Sequence, residues 1–381
     1  MMLPGLPQDL VEEILSRVPA TNLSRLRYIC KRWDALLKDK IFAEKHVRNA
    51  SKQSRLLMLK DYRVCPMSVV NLHKQVDAPV SIEFKDGFEL KDSLSKPDQV
   101  DVSEIFHCEG LLLCTTTNDN SLVAWNPCTG QTRWIRHSSL YKRNSKFYLG
   151  YGNKDKSCGR SYKILRYWDD GTLGTQVVEF EMYDFSSDSW RVLDDITCNC
   201  IPQLNGMSIK GTTYSYGLDK KNHNYTFLLS FDFTTEVFES LCFPLVVGFL
   251  SHTTIALSVV REEQLSLLLQ RTNESKVDVW VTDEIDTKAV LWSKLFTVDI
   301  EDTRRYMIST KVSFLLDKEK KIAVVSEPRC RGEINDFVYI VGEDRDSITI
   351  YLEPTRELLR GGFFRFCTPF VFNYVPCLVQ Y

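Results

Sequence analysis

The sequence predicts a mainly β fold headed by a small all-α module. Three observations carry that expectation. Apolar residues recur at helical spacing from Leu10 to Leu37. From Leu56 onward, short apolar runs alternate with turn residues, as in strands joined by tight loops. Four of those runs align on Trp125, Tyr183, Phe231 and Trp280, with separations of 58, 48 and 49 residues. That period suits a repeated sheet of roughly 40–50 residues.

The first helix is expected just after Pro7, because proline tolerates an early helical position where its missing N–H has no partner to lose. Leu10, Val11, Ile14, Leu15 and Val18 stand at offsets 0, 1, 4, 5 and 8, one broad face of a helix. Pro19 ends it by disfavouring the helical conformation of the residue before it. A second helix is expected to start at Thr21 or Asn22 as cap and to carry Leu23, Leu26, Ile29 and Cys30 inward. Trp33, Leu36 and Leu37 continue the period after a kink, and Phe42 suits a third short helix. So few helices expose more apolar surface than they can bury among themselves. The rest must be covered by the downstream region or by another protein.

Leu6-Pro7-Gln8-Asp9-Leu10-Val11-Glu12-Glu13-Ile14-Leu15-Ser16-Arg17-Val18-Pro19, followed by Leu26-Arg27 and Cys30-Lys31-Arg32-Trp33, closely resembles the F-box. The match combines a Leu-Pro opening, a helix, a proline stop and a Lys-Arg-Trp ending in the family's order. The resemblance implies docking on a Skp-type adaptor of a cullin–RING ubiquitin ligase. It places Leu6, Pro7, Leu10, Ile14, Leu15, Val18, Pro19, Leu23, Leu26, Cys30 and Trp33 in the docking surface or its support, with Trp33 as a candidate anchor.

Polar residues 49–55 break the helical pattern, so we expect an F-box module over 1–48 and a β region over 49–381. Residues 85–102 read as a charged surface loop. Beyond it, Leu122–Trp125, a turn around Asn126-Pro127-Cys128-Thr129-Gly130, and Thr132–Ile135 form a strand–turn–aromatic strand unit. Similar units follow at 180–193, 228–238 and 277–295. Each returning aromatic is placed to wedge between neighbouring sheets. Some 330 residues at that period suit six or seven propeller blades, although no paired Gly-Gly signature marks them. An open β-sandwich pair or an irregular β domain is the rival architecture.

The same stretch resembles the F-box-associated interaction domain of plant F-box proteins. The residues that carry the likeness include Gly110-Leu111-Leu112-Leu113-Cys114, the segment from Leu122 to Ile135, Tyr183-Asp184-Phe185 with Ser189-Trp190-Arg191, Leu228–Glu236 and Tyr374–Gln380. At Gly211-Thr212-Thr213-Tyr214-Ser215 the family commonly has Trp after the Tyr, and this chain has Ser. The family is diverse in its targets, so the resemblance names none.

Motifs for chemistry are missing. No Gly-x-Ser-x-Gly, His-Glu-x-x-His or phosphate-loop pattern occurs, and the six histidines are scattered singly. We therefore expect no catalytic residues, no cofactor and no metal. Cys198-Asn199-Cys200 has no second pair at zinc spacing, and Asp169-Asp170-Gly171 and Asp194-Asp195 read as turns. The twelve cysteines read as reduced thiols, with Cys30, Cys108, Cys114, Cys242, Cys367 and Cys377 among apolar neighbours. With 48 basic and 50 acidic residues the net charge is −2, which argues against a dedicated nucleic-acid binder. No apolar run reaches 18 residues, and Met1–Pro7 has no signal-peptide character, so a cytoplasmic or nuclear protein without a membrane span is expected.

Together these readings point to a non-catalytic substrate receptor of an SCF-type (Skp–cullin–F-box) ubiquitin ligase, with an unidentified protein target. The alternatives are an F-box scaffold or regulator outside the ligase and, from another class, a propeller enzyme with polar groups clustered in its central channel.

Overall fold

A computed structural model describes residues 7–379. It leaves out residue 28 and the stretches 72–79, 92–98, 118–120, 139–141, 143–144, 153–159, 170–177, 194–199, 204–205, 220–225, 245–253, 272–273, 287, 301–310, 329–335, 344, 353–356, 359–363 and 366. Four short helices open the chain: α1 (Gln8–Leu15), α2 (Ala20–Leu26), α3 (Lys31–Leu37) and α4 (Lys40–Asn49). Six sheets with a four-strand antiparallel path follow, arranged as the blades of a propeller, and a short two-stranded ladder pairs Glu357–Leu358 with Phe364–Arg365.

Blade 1 joins distant parts of the chain. Its inner strand, Phe370–Tyr374, pairs with Arg55–Lys60 in the register Arg55↔Tyr374 to Leu59↔Phe370, and Arg63–Val70 and Ser81–Phe84 complete it. Blade 2 is Val102–Cys108, Leu111–Thr116, Leu122–Asn126 and Gln131–Ile135. Blade 3 is Lys146–Gly152, Ser161–Asp169, Val178–Asp184 and Ser189–Val192. In blade 4 the inner strand is split into Cys200–Pro202 and Met207–Ile209, both paired to Thr212–Asp219, before Thr226–Asp232 and Val237–Leu241. Blade 5 covers Thr254–Val260 to Val290–Asp299, and blade 6 covers Ser313–Asp317 to Arg345–Leu352.

The four repeating units of the sequence are thus the third and fourth strands of blades 2 to 5. The third strands are buried along most of their length, on both faces, against neighbouring blades: all five residues of Leu122–Asn126 and five of the seven of Val178–Asp184 are buried. Six of the seven apolar clusters are wedges between adjacent blades, and the seventh is the core of the helices. The returning aromatics sit in those wedges as expected: Trp134 between blades 1 and 2, Trp190 between 2 and 3, Phe238 between 3 and 4, and Trp292 between 4 and 5.

One turn recurs between third and fourth strands. Asn126, Asp184 and Asp232 each accept a hydrogen bond from the backbone N–H two residues on, at 3.0, 2.8 and 2.7 Å. Their side chains thereby fold the chain back. Cations of one blade then hold the turn of the next. Arg133 donates to Phe185 O at 2.9 Å and pairs with Asp188, while Arg191, at the matching place one blade on, pairs with Glu236. Buried Lys163 reaches Phe233 O at 2.9 Å and Glu236 at 2.6 Å.

Several details differ from the sequence reading. α2 begins at Ala20 behind Pro19, with no side-chain cap from Thr21 or Asn22. α3 is a separate helix, because Cys30 is fully extended (φ −156°, ψ 156°). The helix holding Phe42 is therefore the fourth, capped by Asp39, whose carboxylate accepts from Phe42 N–H at 2.8 Å. Cys242 is exposed rather than enclosed, and nine cysteines are free among the described residues.

Candidate docking site

The broad apolar face of α1 divides into two stripes. Leu15 is buried and Val11 and Val18 are half-buried; all three belong to the core shared with Ala20, Leu23, Leu37, Phe42 and Ala43. Leu10 and Ile14, one turn apart on the neighbouring stripe, remain 50% and 52% exposed. Helical geometry forces that split: adjacent positions are about 100° apart, so residues 10/14 and 11/15 cannot both face one narrow core.

The other residues singled out by the sequence fall into three groups. Pro7 is exposed at the start of α1 (φ −53°, ψ 147°). Leu23 is fully buried, and Pro19, Leu26, Cys30 and Trp33 are half-buried. Leu6 lies outside the described residues. Sequence reasoning placed Ile29 inward and passed over Ile41, yet they are 55% and 80% exposed. Among the described residues, four of the eight exposed large apolar side chains lie in the helical head, three on its helices and Ile29 in the link between α2 and α3. For Ile41 the signal was its place beside Phe42, since adjacent positions on a helix point about 100° apart and Phe42 takes the inward one.

Several charges on these helices pair with one another. Glu13 binds Arg17 at 2.7 Å and Lys45 at 2.8 Å, and these cations hold its carboxyl down at about 2. Lys38 and Arg27 likewise lower Asp34. His46 is buried on α4 and its Nε2–H donates to Val18 O at 2.8 Å; burial pushes it below its ordinary value. The helices rest on the propeller through Leu378, which enters their core, through Arg27 Nη1 donating to Thr129 O at 2.8 Å, and through the Arg160–Glu44 pair.

The centre of the propeller holds a cavity of about 830 Å³ lined by all six inner strands. His107, half-buried on its wall, accepts from Gly110 N–H at 2.8 Å, and burial lowers it to about 4, so it stays neutral near pH 7. Among the described residues no three His, Cys, Asp or Glu side chains gather to hold a metal ion. Cys200 is buried; Cys198, Asp170-Gly171 and Asp194-Asp195 lie outside the described residues.

Comparison with known proteins connects the two parts. Residues 3–45 match the F-box domain, and residues 55–381 match the F-box associated beta propeller domain. "Putative F-box only protein 9" of Arabidopsis thaliana is 45% identical, over 98% of this chain and 95% of its own length. A putative F-box/kelch-repeat protein of the same plant is 48% identical, over 100% of this chain and 97% of its own. A further putative F-box protein from it is 46% identical, over 100% and 95%. An F-box ahead of a propeller is the architecture of the substrate-receptor subunits of SCF ubiquitin ligases, which are non-catalytic adaptors. Two exposed stripe residues on a proline-bounded helix, a six-bladed ring closed by its last strand and near-full-length likeness to plant relatives lead to one conclusion: this chain belongs to the F-box proteins that carry an F-box associated beta propeller domain.

Proposed function

We propose that residues 1–48 dock a Skp-type adaptor and, through it, a cullin–RING ligase, while residues 49–381 hold a protein target. Leu10 and Ile14 are the contact stripe, with Pro7 at its start; Leu6 joins the docking residues on its F-box motif alone. Leu15, Val18, Leu23 and Leu26 support it from within, and Pro19, Cys30 and half-buried Trp33 frame the neighbouring helices. The observation that carries this reading is the uncovered Leu10–Ile14 stripe on a module whose inner apolar stripe is sealed. A large apolar pair left in water gains free energy only when a second protein covers it.

The contribution to ubiquitination is proximity. A target held on the propeller spends its time beside ubiquitin charged on another subunit, which raises the local concentration of its lysines without any bond chemistry here. We assign this work to the cytoplasm or nucleus, as expected of a ubiquitin-ligase receptor. No helix among the described residues is long and apolar enough to cross a membrane.

Replacing Leu10 and Ile14 together by Asp tests this. Central apolar contacts are worth about 2 kcal/mol each when truncated. Capture by a purified Skp-type adaptor should therefore fall roughly hundredfold or more, while hydrogen exchange in the blades stays as in the wild type. Undiminished capture by the double variant contradicts the assignment.

A further inference from the structure

The residues after the closing strand run inward. Leu378 is 1% exposed and lies inside the helical core, among Leu15, Ala20, Leu23, Leu37, Phe42 and Ala43. Its neighbours Cys377 and Val379 belong instead to the wedge between blades 2 and 3. The short segment is therefore shared between two cores.

Fully buried Asn126 holds it there. Its Nδ2 donates to Cys377 O and to Val379 O, both at 3.1 Å. Its Oδ1 meanwhile accepts from Cys128 N–H at 3.0 Å and so shapes the turn whose Thr129 carbonyl receives Arg27 of the head. Tyr374 Oη also accepts from Cys128 N–H, at 3.1 Å. Gly110, at φ +86°, leaves the space: a Cβ there would stand 2.4 Å from Cys377 Sγ and 2.7 Å from Val375 O. None of these contacts involves Leu10 or Ile14, which lie on the outer stripe.

We propose that residues 375–379 form a strap that makes a docking-competent head conditional on a closed propeller, with Leu378 as its positioning residue. The strap follows directly on strand Phe370–Tyr374, so it reaches the head when that strand pairs with Arg55–Lys60 and closes blade 1. Until then the head lacks one wall, and a helical module of this size cannot make good the loss. Adaptor docking then reports that the ring behind the head is complete, and a receptor with an open ring is withheld from the ligase. The coupling rests on the adaptor-docking reading above.

Peptide-resolved hydrogen exchange on the full chain, together with capture by a purified Skp-type adaptor, tests the proposal with Leu378→Ala, Leu378→Asp and Leu378→Met. Leu378→Ala should speed exchange across residues 8–49 by about tenfold or more, Leu378→Asp further still, with blades 4 to 6 unchanged. Capture should fall in step, and Leu378→Met should restore both. Head protection untouched by Leu378→Asp overturns the strap. So does blade exchange that rises as much as head exchange in Leu378→Ala, or a Met variant that rescues neither readout. A wild-type chain that captures no adaptor overturns the docking reading and the coupling with it, and the exchange arm then decides whether the strap itself stands.

Discussion

In the propeller, every sheet meets the next across an apolar wedge, six times round, and strand Phe370–Tyr374 pairs with Arg55–Lys60 to close the ring. The helical head has no such ring. Its inner stripe is sealed by its own helices and by Leu378, and its outer stripe of Leu10 and Ile14 is left in water. A closed β ring satisfies its apolar faces internally and leaves isolated exposed residues such as Val192, Val237, Leu291 and Tyr351, one on each of blades 3 to 6. A few short helices cannot do this, and the uncovered remainder is where a partner has something to gain.

The contrast breaks most sharply at a buried charge in the ring. Arg166 and Glu181 of blade 3 are both buried and pair at 2.7 Å, with Ser138 bonded to both. Glu181→Ala leaves the buried guanidinium without its counter-charge, and chemical denaturation should show a loss of about 3–5 kcal/mol. Loss confined to the head in that variant would mean that the blades do not carry their own stability. The corresponding change in the head is Leu23→Ala, at a fully buried position; about 3 kcal/mol should be lost there, read as faster exchange over 8–49 with the blades protected.

Acid separates the regions less. Burial lowers both His107 in blade 2 and His46 in the head. The unfolded chain, with histidines near 6.5, takes up protons first as pH falls. Stability is therefore complete above that value and declines as pH falls toward the folded values, about 4 for His107. At pH 5 His107 alone should cost about 2 kcal/mol relative to pH 7.5 in urea titrations. Equal midpoints at the two pH values would contradict its burial as a neutral group. The smallest expected effect on stability is on the outer stripe. Leu10→Ala or Ile14→Ala should change stability by less than about 0.5 kcal/mol while weakening adaptor capture.

How far the sequence could be read follows the same division. The offsets of Leu10 to Val18 revealed a helix but merged its two stripes, because periodicity marks an apolar face without saying which residues a neighbour covers. The strand–turn–aromatic units exposed blades 2 to 5, where an Asn or Asp shapes the turn and an aromatic returns. Blade 6 lacked that signal: its return strand opens Arg345-Asp346-Ser347. Blade 1 was hidden by its assembly from strands more than 300 residues apart, a pairing that local patterns do not encode. Leu378 was the least legible. Val375-Pro376-Cys377-Leu378-Val379 says that an apolar segment will be buried, but nothing in it points to the core of α1 to α4.

The footprint of a purified Skp-type adaptor on the full chain, mapped by hydrogen exchange, tests the central claim most directly. Slowed exchange over residues 8–15, with blades 4 to 6 unchanged, is the expected result. Slowed exchange on those blades with residues 8–15 unaffected would contradict the claim.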